Sequence, residues 1–121
     1  MINEFEFVYS LVNIKGFGKK KVADYIIEHC CDLEMCIMYK DFILDENLKS
    51  IFEFNVLKAK KIEDDCVKKN IKIITIFNPL FPSKLYSGKE PCLYLFYFGD
   101  VNLLNQKSIA VIGSRKVDNE F

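Results

Sequence analysis

Two short segments of this chain combine glycine with cations in a pattern suited to holding a phosphate. The first is Ile14-Lys15-Gly16-Phe17-Gly18-Lys19-Lys20-Lys21, where two glycines interrupt a helical pattern and a lysine run reopens it. Glycines permit φ > 0 in a turn and let the backbone approach a partner closely. Free amides at a helix start near Gly18 to Lys20 would point outward with a positive dipole. Lys15, Lys19, Lys20 and Lys21 would add charge, giving backbone affinity without sequence readout. Phe17 would plug the space between the two helices. The same residues also fit a plain αα-hairpin whose glycines serve only the turn. The second segment is Gly113-Ser114-Arg115-Lys116, which follows the apolar run Ile109-Ala110-Val111-Ile112. A buried strand feeding a glycine turn, with cations at its carboxyl end, is where an α/β sheet binds anions. It is not a GxGxxG, so no dinucleotide or other cofactor is expected.

Charge elsewhere is local. Seventeen Lys plus Arg balance seventeen Asp plus Glu across the 121 residues. Lys15 to Lys21 contains no acid. Between Glu28 and Glu53, by contrast, Asp32, Glu34, Asp41, Asp45 and Glu46 join the two terminal acids against only Lys40 and Lys49. Lys58 to Lys72 is again basic. Each patch also suits an ordinary solvated helix face. Half of the residues are hydrophobic and 28% are charged, which supplies a core and excludes a disordered tail. No apolar run is long enough for a membrane span, and the acidic start Met-Ile-Asn-Glu-Phe-Glu is unlike a signal peptide. Five cysteines at 30, 31, 36, 66 and 92 form no regular framework, consistent with a cytoplasmic location. His29, Cys30, Cys31 and Cys36 lack a CxxC, so no metal is expected and buried thiols are the better reading.

The positioning elements follow from periodicity. Phe5, Val8, Leu11 and Val12 predict a helix over 5–13, and Val22, Ala23, Ile26 and Cys30 another over 19–30. Asp32 and Asp45 are suited to N-cap two further short helices. Phe52, Val56, Ala59, Ile62 and Cys66 predict a stronger helix over 52–69, with Asn70 as its stop. After Asn70 the period changes. Residues 71–77 and 93–98 read as strands, the second apolar at every position and so buried on both faces. Ser83 to Ser87 suits one helical turn and Val101 to Asn105 a short helix, while 109–113 reads as a third strand. The expectation is an α+β chain dividing into a helical domain at 1–70 and the start of an α/β domain at 71–121. A buried strand at 109–113 needs neighbours and a crossover to cover it, so the chain is expected to be the front of a longer protein.

The second half resembles the bacterial DNA-processing protein A family (DprA, or Smf). Pro82 and Leu85 fit its "YP..L", Glu90-Pro91 with Leu93 to Phe96 its "D-P-P-x-L-[FY]", Gly99-Asp100 its "GD", and Ile109 to Arg115 its "IAIVGSR". Phe81, Glu90 and Cys92 depart from the usual Tyr, Asp and Pro. The resemblance covers about residues 71 to 116. It implies a Rossmann-like domain preceded by a helix-hairpin-helix or SAM-like domain. It also implies binding of single-stranded DNA in a basic pocket containing Gly113, Ser114 and Arg115, and help in loading the recombinase RecA during natural transformation. The RecA contacts and a homodimer surface would lie downstream. On this reading the chain is not an enzyme, since no acid–base pair or nucleophile constellation is discernible and His29 reads as structural. The alternatives are the front of a Rossmann-like nucleotide hydrolase and a protein-interaction domain using the acidic stretch.

Overall fold

A computed structural model describes residues 2–98 and the backbone of 111–112. Its first element is also its most enclosed. Helix α1, Glu4–Val12, buries Phe5 through Leu11 without a break. A helix of this length is marginal alone and needs packing on all sides. Its start is fixed by a capping box: Asn3 Oδ1 accepts from Glu6 N at 2.8 Å, and Glu6 Oε1 accepts from Asn3 N at 3.0 Å. Only 3% of Glu6 is exposed, and its carboxylate is satisfied further by Lys60 Nζ at 3.1 Å. Asn3 Nδ2 also donates to Glu63, so the cap is tied to a distant helix.

That helix is α4, Glu46–Lys68, which lies against α1 and buries Phe52, Asn55, Val56, Ala59, Ile62 and Cys66. Asp45 caps it by accepting from Leu48 N at 2.8 Å, as its residue type predicts. The cap begins one continuous 23-residue helix, where the sequence suggested a short helix from Asp45 and a second from Phe52. Asn55 Nδ2 donates to the Ser10 carbonyl at 3.1 Å across the α1/α4 seam. Lys69 closes the helix and Asn70 follows at φ 58, the left-handed conformation that Asn tolerates.

Between these two run α2, Lys19–Glu28, and α3, Leu33–Met38, with a 3-10 turn at Lys40–Phe42. Asp32 caps α3 through Met35 N at 3.2 Å. Cys30 and Cys31 reverse the chain with φ of 59 and 52, and Cys31 N donates back to Ile26 O at 2.9 Å. Cys36 is buried, and burial together with the neighbouring Cys31 and Asp32 pushes its thiol up to about 12. That disfavours the thiolate a metal or redox partner requires.

Strands β1 (Lys72–Thr75), β2 (Tyr94–Tyr97) and β3 (Val111–Ile112) form a sheet in that order. Both pairings are antiparallel, with Thr75 opposite Tyr94 and Phe96 opposite Ile112. All of β2 is buried, as its unbroken apolar sequence requires. The architecture is therefore α+β. The connection from β1 to β2, residues 76–93, carries a 3-10 turn at Ser83–Leu85 and no crossover α-helix. Strand β1 also stops before Ile76 and Phe77. Asn78 explains this, because its side chain accepts from Leu80 N at 2.9 Å and turns the chain ahead of Pro79. The sheet and the helices share one core. Phe5 meets Tyr94 and Phe96 edge-on, at 5.2 and 5.9 Å between centroids, and Phe7 sits between Phe52 and Phe77.

Candidate nucleic-acid interface

The lysine hairpin is built by burial of Ile14. This side chain is enclosed, and Ile14 N donates to Leu11 O at 3.1 Å, so α1 unwinds into a tight turn. Gly16 then takes φ +95, which side chains rarely adopt, although a Cβ there would meet nothing within 4 Å. Conformation rather than space requires this glycine. Gly18 differs. It is the N-cap of α2 at φ −77, ψ 151, an extended conformation open to any residue. The expectation that both glycines serve positive φ is thus met only at Gly16.

Gly18 brings no capping side chain, so no side chain closes the first turn of α2. Lys15, Lys19, Lys20 and Lys21 are all exposed around it. Phe17 is half-buried against the core, and Lys21 Nζ stands 4.5 Å above its ring. A cleft of about 270 Å³ separates Gly18, Lys19 and Lys20 from Lys89, Glu90 and Pro91. Sequence reasoning missed Lys89. It arrives from the β1–β2 connection, and no local spacing announces a neighbour seventy residues away. Glu90 brings a carboxylate to the same cleft, so the rim is basic but not uniformly so.

The second candidate, Gly113, Ser114, Arg115 and Lys116, lies outside the described residues. So do Gly99-Asp100 and the helix expected at 101–105. What precedes that candidate is placed by the backbone alone, with Val111–Ile112 paired to Tyr97 and Phe96.

Several of the family-like positions have a visible structural task. Pro82 begins the 3-10 turn, and the Leu85 carbonyl accepts Cys92 N at 2.6 Å. This bond draws Leu93 into line, and its carbonyl receives Ile76 N at 2.9 Å, extending the β1/β2 ladder. The spacing of proline, leucine and the apolar run is thus the spacing of a closed loop feeding a buried strand.

Among the described residues, one carboxyl group stands apart. Burial, and a hydrogen bond to Glu6, push the half-buried Glu63 up to about 7. It borders a hollow of about 430 Å³ that also includes Phe5, Ile74 and Thr75. Its partners, Glu6 and Asn3, belong to the α1 cap, so packing accounts for it. His29 is likewise accounted for: its Nδ1 donates to the Tyr25 carbonyl at 2.7 Å. No cluster of three metal-ligating side chains occurs among the described residues, and no helix there is long and apolar enough to cross a membrane.

Residues 72–120 match the family model of DNA recombination-mediator protein A, and residues 1–71 lie outside that match. No curated protein and no solved structure matches the chain.

Proposed function

We propose that this chain, through residues 72–120 and their family match, acts in DNA recombination as a single-stranded-DNA-binding protein. That match is the observation on which the reading rests. In this proposal 71–121 begin a Rossmann-like DNA-binding domain, and 1–70 form an ancillary helix-hairpin-helix or SAM-like unit. Arg115 and Lys116 contact phosphate beside the Gly113-Ser114 turn. Lys15, Lys19, Lys20 and Lys21 add backbone affinity around Gly16 and Gly18, supported by their exposure and by the arrival of Lys89. The protein is non-catalytic, cytoplasmic and without a cofactor, and it delivers the strand to RecA during DNA uptake.

Fluorescence anisotropy with labelled oligo-dT and a duplex of equal length tests this reading. The single strand should be preferred, with affinity falling steeply as salt rises. Changing Lys19, Lys20 and Lys21 together to Glu should lower the slope of log affinity against log salt by about 2, at roughly 0.7 per lost phosphate contact. Arg115→Glu should weaken binding further. If both variants bind like the parent, the site assignment is wrong; if no variant or parent binds either nucleic acid, the reading itself fails.

A further inference from the structure

A second surface, away from the lysine hairpin, has the opposite character. From α3 into the following 3-10 turn, Met35, Met38, Tyr39 and Phe42 recur at i, i+3, i+4 and i+7 and are all exposed, Met38 by 68% and Phe42 by 83%. Side chains of this size rarely stand in water as a contiguous ridge unless a partner covers them. Beside the ridge is an apolar hollow of about 460 Å³, lined by Ile2, Ile37, Met38 and Glu34.

The ridge is braced from beneath. Tyr25, His29, Tyr39 and Phe42 form a run of rings, with centroids 4.3, 5.4 and 5.9 Å apart and successive planes within 40°. The Tyr25 hydroxyl donates to the Cys36 carbonyl at 2.7 Å, anchoring the inner end of the run in α3. Phe42 is therefore held out by a stack, not left loose on a turn.

Charge selects the occupant. Lys40 and Lys49, the only cations between Glu28 and Glu53, both engage Asp41, at 3.4 and 3.3 Å. Asp32 and Glu34 have no cationic partner among the described residues. An apolar, methionine-bearing ridge with an acidic margin complements a helix that is apolar on one face and basic on the other. The same margin repels a nucleic-acid backbone, although stacked rings alone could attract bases.

We propose that the α3 ridge and its hollow are a docking surface for a basic amphipathic helix of a partner protein. This goes beyond the DNA reading and does not depend on it. The probe is an 18-residue peptide of leucines and lysines with leucine at helical spacing, compared with the same pattern carrying glutamate for lysine. Calorimetric titration should show binding of the lysine peptide and none of the glutamate peptide. Met38→Ser and Phe42→Ser, at exposed positions that leave the circular dichroism spectrum unchanged, should each weaken binding at least tenfold, and Glu34→Lys should do the same. Equal binding of both peptides, or lysine-peptide binding that ignores all three variants, overturns the proposal. So does loss of oligo-dT binding in Phe42→Ser, which would make the ridge a base-stacking platform. A parent chain that sediments as a dimer and a Phe42→Ser chain that sediments as a monomer would also overturn it, because a second copy would then be the occupant.

Discussion

Replacing Phe5 by alanine should loosen the helices and the sheet together. Only 4% of Phe5 is exposed, and its ring touches Tyr9 on its own helix and Tyr94 and Phe96 on β2. Truncating a buried Phe typically costs about 3–5 kcal/mol, from lost transfer energy plus the cavity left behind. Edge-on ring pairs contribute about 0.5–1.5 kcal/mol each, and the two edge-on pairs here place the expected loss in the upper part of that range. Domains of this size have stabilities of about 5–15 kcal/mol, so the loss is a large fraction of the margin. The assay is urea unfolding by circular dichroism, with hydrogen exchange read separately over α4 and over 72–97. The expected result is one transition shifted to lower urea and matched loss of protection in both regions. Phe5→Leu should recover more than half of the effect. A loss below about 1 kcal/mol, or exchange that rises in the helices while β2 stays protected, would refute the shared core.

Glu63→Gln should change the pH dependence of stability. Glu63 titrates near 7 in the folded chain and near its ordinary 4.5 when unfolded, so between those values the folded state holds the extra proton. Stability from this group is therefore present at the acid end of that window and declines as pH rises through it, by at most about 1.4 kcal/mol per pH unit. Glu6 runs the other way. Burial opposes its ionisation, but hydrogen bonds from Glu63, Asn3 and Lys60 outweigh it and hold its carboxyl below the usual range, so its contribution is lost only in stronger acid. In Glu63→Gln the urea midpoint should stay level from pH 4.5 to 7, and a slope equal to that of the parent would remove the proton from Glu63. Asn70→Ala forces a side chain with no left-handed tolerance into φ 58 and should cost about 1 kcal/mol in thermal unfolding; an unchanged midpoint would show that the α4 terminus relaxes freely.

Local chemistry was legible in the sequence and distant neighbours were not. Asp32 and Asp45 declared themselves as caps because an N-cap is a property of a few consecutive residues. The buried β2 was readable because every one of its positions is apolar. Glu6 was not: its burial depends on Lys60 and Glu63, which helical periodicity around residue 6 cannot reveal. The antiparallel pairing of β1 with β2 was not legible, because a connection as long as the one between them permits either direction. For the binding candidates, the hairpin lysines were visible as a run, while Lys89 joined them only through the fold.

The α1 cap also bears on the order in which the chain folds. Asn3 and Glu6 close the first turn of α1, yet the same two side chains reach Glu63 and Lys60 on α4. Nine residues cannot hold a helix in water, whereas 23 with a good cap can begin one. On this length argument α4 is expected to form first and α1 to complete its first turn as it condenses on that template. The beginning of the chain would then settle only after α4 has followed it.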